Sequence, residues 1–216
     1  MKIDIHYDPT LHFVIHDVFT KKENKQILKE ALSLEDKFVE SYIGNDKKMD
    51  KEFRSNKSAF YDEIYNDNRN KSVLLKKIDK ILSNDQIREI LGSSEYPFTD
   101  FGNTNTHETQ VSRYGEDQKY NWHIDAVRAQ QRIITFVYWF HDSPKKFSGG
   151  QLQLTNSPIY NGELMEHSHG TIKCIEPTNN TMIIFSSNKG HRVLPTKSPK
   201  TFKDGRFSVN CWVGIR

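Results

Sequence analysis

From Glu108 to Ile215 the chain reads as a succession of short β segments separated by turn residues. They are "ETQVSRY", "YNWHI", "RIITFVYWF", "GQLQLT", "TIKCIEP", "NTMIIFSS", "HRVLPT" and "RFSVNCWVGI". A parallel sheet needs a crossover between strands, usually a helix, and no helical period separates these segments. Eight closely spaced strands therefore imply antiparallel packing, as in a sandwich or jelly roll. The first hundred residues have another texture. "TKKENKQILKEALSL" offers Thr20 as an N-cap, Glu23 three residues on, and Ile27, Leu28, Ala31 and Leu32 at helical spacing. "NRNKSVLLKKIDKILSNDQIREILG" repeats the pattern through Val73, Leu74, Ile78, Ile81 and Leu82, and "SAFYDE" between the two reads as a short strand. The expected fold is mainly β (α+β), one domain over 1–216, with 1–105 as helical support with N-terminal strands and 106–216 as the β core. A chain of 216 residues can bury such a core without disulfides.

Composition mainly removes possibilities. The net charge of +3, from 31 basic and 28 acidic residues, is spread in Lys pairs without a basic stripe, so no nucleic-acid partner is expected. Cys174 and Cys211 both lie in apolar alternating segments and read as free thiols. No window has the length of a membrane span or a signal-peptide core, which leads to the expectation of a soluble, cytoplasmic protein without a membrane partner. Composition assigns no oligomeric state.

The chemistry begins in "YNWHIDAVRAQQRIITFVYWF". With nine His and fifteen Asp in the chain, a His-x-Asp triplet arises by chance in about half of such compositions, so the triplet alone is weak. Its setting is more informative. In an extended segment residues i and i+2 project to one side, so His123 and Asp125 can reach one ion; on a helix they would diverge. His191, in "SSNKGHRVLPT", follows an apolar strand and opens the next. "RFSVNCW" sets Arg206, Ser208, Asn210 and Trp212 on one face and Phe207, Val209, Cys211 and Val213 on the other. A face with both Arg and Trp suits the lining of an anion-holding cavity better than open surface. Two His and one carboxylate form the facial set that leaves positions open on Fe(II).

Taken in order, "SRYGEDQKYNWHID", "RIITFVYWF", "SGGQLQL", "IEPTNNTMIIFSS", "GHRVLP" and "GRFSVNCW" resemble the 2-oxoglutarate/Fe(II) dioxygenases, nearest to their prolyl 4-hydroxylase-like branch. The similarity spans Thr109 to Val213 and extends faintly to "FVIHDVFTKKENKQILKEAL" and "FRSNKSAFY". It implies a double-stranded β-helix (jelly roll, cupin-like) with His123, Asp125 and His191 as iron ligands. It further implies Arg206, Ser208 and Tyr114 as contacts to the cosubstrate 2-oxoglutarate. The implied cofactors are Fe(II), 2-oxoglutarate and O2, with ascorbate in support, and the implied reaction is hydroxylation of a carbon. Where relatives carry a Tyr paired with the Arg, this chain has Trp139, with Tyr138 on the opposite strand face. Asp125 argues for hydroxylation, since halogenases of the family lack that carboxylate.

The expected substrate is a prolyl residue of a protein or peptide, or alternatively a free amino acid or small metabolite. A non-catalytic cupin-like binding module is the competing class; it would lack a ligand or the anion-binding Arg, and neither is missing. Both imidazoles must be neutral to take a metal, so activity should fall below about pH 6 to 7. Arg128, Arg132 and Arg192 form either a solvated rim or contacts to an acidic substrate group. His167 and His169 sit in the polar run "NGELMEHSHG" and read as loop residues, not a second metal site. The polar segments Gly44 to Lys57 and Arg113 to Tyr120 are expected to gate the site.

Overall fold

The computed structural model describes residues 2–43, 48–126, 131–165 and 170–215. Strands β1 (Lys2–His6) and β2 (His12–His16) precede helix α1 (Lys21–Ser33), followed by β3 (Val39–Glu40), β4 (Lys57–Phe60), and helices α2 (Tyr61–Ile64), α3 (Val73–Leu82) and α4 (Asp85–Gly92). Twelve strands follow: β5 (Thr106–Tyr114), β6 (Tyr120–His123), β7 (Arg132–Phe140), β8 (Ser148–Gly149), β9 (Leu152–Thr155), β10 (Ile159–Tyr160), β11 (Glu163–Leu164), β12 (Ile172–Ile175), β13 (Thr181–Ser186), β14 (Gly190–Val193), β15 (Thr196–Lys197) and β16 (Arg206–Gly214).

Two sheets carry the architecture. The major one has eight strands in the order β1-β2-β13-β7-β16-β5-β4-β3; the minor one has four, β12-β9-β14-β6. Their crossing connections, antiparallel throughout the paired strands, make a double-stranded β-helix. The expected jelly roll is present. The N-terminal strands extend it: β2 pairs with β13, and β4 with β5, in the same major sheet.

The major sheet is covered on both faces, which explains why "RIITFVYWF" is apolar almost throughout and does not alternate. Ile134, Phe136, Tyr138 and Phe140 point to the helical side, where they meet Ile27, Leu28 and Ala31 of α1 and Leu74, Leu75 and Ile78 of α3. Val137 and Trp139 point inward, toward Leu152, Leu154, Ile183, Phe185 and Val193 between the sheets. Each large buried aliphatic side chain here contributes about 1.5 to 3 kcal/mol relative to exposure.

Local signals set the helix boundaries. Thr20 Oγ1 accepts from the Glu23 backbone N–H at 3.3 Å, while Glu23 Oε2 accepts from the Thr20 N–H at 2.9 Å, closing the capping box read from the sequence. The single helical pattern over Asn68 to Gly92 resolves into two helices. Asn84 accepts from the Ile87 N–H at 3.1 Å and restarts the chain as α4, because its short amide competes well for a first-turn donor. "SAFYDE" changes character midway: the strand ends at Phe60, and Tyr61 begins a helical turn.

Candidate active site

A cavity of about 710 Å³ opens between the two sheets. Its floor is the inward face of β16 and β5, and its opposite wall comes from β6 and β14. On β16 the cavity is lined by Arg206, Ser208, Asn210 and Trp212, the face anticipated from strand alternation, while Phe207, Val209, Cys211 and Val213 are packed under the helices.

β6 and β14 pair so that His191 lies directly opposite His123. Asp125 sits two residues past His123, where the chain bends out of β6, and its backbone N–H donates to Ser187 O at 2.9 Å. His123 Nε2 lies 3.7 Å from Asp125 Oδ1, and His191 Nε2 lies 3.3 Å from Asp125 Oδ2. The ligating atoms of all three residues fall within 4.8 Å of one another. Two donors bound to one ion at about 2.1 Å each can stand at most about 4.2 Å apart, so both carboxylate to imidazole separations suit a shared ion.

The imidazoles are also in the right tautomer. Nδ1–H of His123 donates to Asn121 O at 2.8 Å, and Nδ1–H of His191 donates to Lys189 O at 3.0 Å, which leaves each Nε2 as a lone-pair donor facing inward. Thr135 holds the carboxylate: its hydroxyl donates to Asp125 Oδ2 at 2.9 Å and lies 2.9 Å from Ser187 Oγ. Burial, then the neighbouring His191, pushes the His123 pKa well below its ordinary value, so this ring stays neutral. His191 feels the same burial, but the Asp125 carboxylate reverses it and its pKa rises. For Asp125 burial raises the pKa, and the two imidazoles more than offset that and hold it down. These donors fit a divalent first-row ion.

The cavity also holds a buried cation that has no anionic partner among the described residues. Arg206 is 1% exposed, and its guanidinium has no carboxylate partner among the described residues. Nε donates to Gly150 O at 2.7 Å and Nη1 to Ser208 Oγ at 3.1 Å, and the group lies 4.8 Å over the Tyr114 ring. Desolvation lowers its pKa to about 10, a direct sign that this charge lacks compensation. Gly150 is required here: at φ +67° it occupies backbone space that L side chains rarely enter, and a Cβ would meet Arg206 Cδ at 2.8 Å.

The predicted residues separate on this geometry. His123, Asp125, His191, Arg206, Ser208 and Tyr114 all line the cavity. Tyr138 faces away, its hydroxyl donating to Asn24 Oδ1 at 2.7 Å under α1; Trp139 is fully buried in the apolar layer beside Tyr114. Arg132 lines the cavity paired with Glu108 at 2.6 Å, whereas Arg192 packs over Trp122 and donates to Gln153, outside the cavity lining. Arg128, His167 and His169 lie outside the described residues, as do 44–47 of the first expected gating segment. The described part of that segment is strapped to β6: Ser55 N–H donates to Lys119 O, Asn121 N–H to Phe53 O, and Arg54 bridges Tyr120. The second is tied to β15 by Asp117 N–H to Thr196 O and Thr196 N–H to Gln118 O. Arg54, Gln110 and Thr135 were missed as site residues. The alternation Glu108, Gln110, Ser112, Tyr114 on β5 is the signal that reveals Gln110.

The family model described as the 2OG-Fe(II) oxygenase superfamily matches residues 109–214. An uncharacterized PKHD-type hydroxylase of Synechocystis sp. is 28% identical over 222 residues, covering 95% of this chain and 68% of the relative. Among solved structures, a Trichoplax adhaerens prolyl hydroxylase in complex with a hypoxia inducible factor oxygen degradation domain peptide fragment superposes with a TM-score of 0.65. It is 18% identical, with 94% of this chain and 83% of that one covered. A Pseudomonas putida prolyl-4-hydroxylase gives a TM-score of 0.63 at 16% identity, over 95% and 92% of the two chains. No helix among the described residues is long and apolar enough to cross a membrane. Residues 109–214 thus carry the 2OG-Fe(II) oxygenase match, and the protein is an Fe(II)- and 2-oxoglutarate-dependent dioxygenase with a prolyl-hydroxylase-like fold.

Proposed function

We propose that this dioxygenase hydroxylates a prolyl residue of a protein or peptide, and that the whole chain acts as one catalytic domain. His123, Asp125 and His191 hold Fe(II), and Arg206, with Ser208 and Tyr114 around it, holds the distal carboxylate of 2-oxoglutarate. The observation that carries the cosubstrate assignment is the buried guanidinium of Arg206, which lacks a carboxylate of its own among the described residues. With Fe(II) and 2-oxoglutarate bound, the site supplies oxidation of a substrate C–H bond by O2, with succinate and CO2 as coproducts.

Arg132 and Trp212 line the same cavity. The Arg132 guanidinium pairs with Glu108 and stacks 3.7 Å from the Trp212 ring centroid, and the Trp212 indole N–H sits beside the Asp125 carboxylate and helps hold its pKa down. These side chains shape the space for substrate and exclude water; the carboxylate of Asp125 is held in place by Thr135.

The test is succinate formation by protein loaded with Fe(II), ascorbate and 2-oxoglutarate, with and without prolyl peptides, and detection of a one-oxygen mass gain on proline. His123→Ala and Asp125→Ala should each abolish both. Activity surviving either substitution refutes the triad, and peptide oxidation confined to residues other than proline refutes the substrate.

A further inference from the structure

The cavity contains a second guanidinium without a carboxylate partner among the described residues, and 2-oxoglutarate does not account for it. Arg54 donates from Nε to Asn56 Oδ1 at 2.9 Å, from Nη1 to Tyr42 O at 3.1 Å and from Nη2 to Gln110 Oε1 at 2.9 Å, all neutral acceptors. Of its five N–H groups two remain open. The neighbouring acids are engaged elsewhere, Glu52 with Lys119 and Glu108 with Arg132, and Glu63, which lines the same mouth, makes no ion pair with Arg54.

In the reading above, one carboxylate of 2-oxoglutarate lies on Arg206 and the other at the metal, so none is left for Arg54.

The group is also held ready. Arg54 lies 4.4 Å over the Tyr120 ring, and that ring stacks on His123 at 3.5 Å, in planes 15° apart. The backbone bridge between Arg54 and Tyr120 locks this stack to the strand that carries the proposed iron ligand. A charged fork fixed beside the reaction centre costs little further ordering when it binds a partner.

We propose that Arg54 binds a carboxylate of the substrate, making the enzyme selective for acidic substrates. This rests on the hydroxylase reading above. One ring, that of Tyr120, separates the guanidinium from the proposed ligand His123, with successive spacings of 4.4 and 3.5 Å, a span that an extended peptide covers in two or three residues. The carboxylate therefore belongs to an Asp or Glu side chain, or a chain terminus, at that distance from the oxidised residue, or to a free amino acid.

Two pools test this with Fe(II)-loaded protein: degenerate prolyl peptides and free amino acids, each in parallel with its amide-capped counterpart, with oxygenated products read by mass spectrometry. Acidic members should yield at least tenfold more product than their capped forms, and the pool that reacts identifies the source of the carboxylate. Arg54→Gln should bring that ratio toward one, and Arg54→Lys should retain part of it. Equal oxygenation of acidic and capped forms by the unaltered protein overturns the proposal, as does a ratio preserved in Arg54→Gln, or no acid-dependent product in either pool. Absence of succinate formation from 2-oxoglutarate by the unaltered protein would instead strike the hydroxylase reading itself.

Discussion

Replacing Arg206 by Met should leave the fold nearly as stable as before while removing the response to 2-oxoglutarate. The fall of the guanidinium pKa from its ordinary value to about 10 corresponds to about 3 kcal/mol of native-state cost. Its sign is unfavourable at neutral pH: the folded pKa lies below the unfolded one, so the penalty is complete at pH 7 and shrinks only as pH rises above about 10. Met removes that penalty but leaves Gly150 O and Ser208 Oγ without their donor, at about 1 to 3 kcal/mol each. The two sides offset to within about 3 kcal/mol, or about 6 to 12 °C in Tm for a chain of this size. In the unaltered protein, 2-oxoglutarate at a hundredfold its Kd adds about 2.7 kcal/mol, hence about 5 to 10 °C. Thermal unfolding of Zn(II)-loaded protein, which cannot turn over, reads both quantities. An Arg206→Met variant that 2-oxoglutarate stabilises as much as it does the unaltered protein would falsify the assignment.

Other perturbations separate the site from its scaffold. Thr135→Val removes the hydroxyl that donates to Asp125 Oδ2 and should weaken metal binding about 10- to 100-fold in a Co(II) titration; unchanged affinity would show that the carboxylate orients itself. Tyr138→Phe leaves Asn24 Oδ1 without its donor beneath α1, while Asn180 keeps its bonds to Phe19, and should lower stability by about 1 to 3 kcal/mol in urea unfolding with metal and 2-oxoglutarate affinities unchanged; a loss of either affinity would place Tyr138 in the site after all. Glu23 is held at a pKa of about 2, first by Lys77 and then by the Thr20 cap. Because the folded value lies below the ordinary 4.5, its stabilisation is present above that pH and is lost as pH falls toward 2. Urea midpoints of Glu23→Gln measured at pH 6 and pH 2.5 should accordingly differ less than those of the unaltered protein.

Much of the frame was legible because strand periodicity is a local property. The β16 segment declared its two faces by alternation alone, and β7 declared double coverage by being apolar on both. The breaks were less legible where two local signals competed, as at Asn84, where helical spacing runs on while the amide favours a new cap. Arg54 and Thr135 gave no warning because nothing in their neighbours along the chain distinguishes them from surface polar residues. Ser208, in contrast, stood on a strand whose alternation already marked the cavity face, and Tyr114 came from the family resemblance.

By itself the order of residues determined the strand frame, the alternating faces of strands such as β16 and the same-side projection of His123 and Asp125, since all of these follow from neighbours one to four positions apart; His191 was assigned to the same ion through the family resemblance. Only the tertiary structure decided that His191 stands opposite His123, that Arg206 is buried without a counter-charge, and that Arg54 is stacked against Tyr120. Those facts depend on residues brought together from distant parts of the chain, and charge compensation and burial are properties of the assembled space between two sheets, which no local pattern encodes.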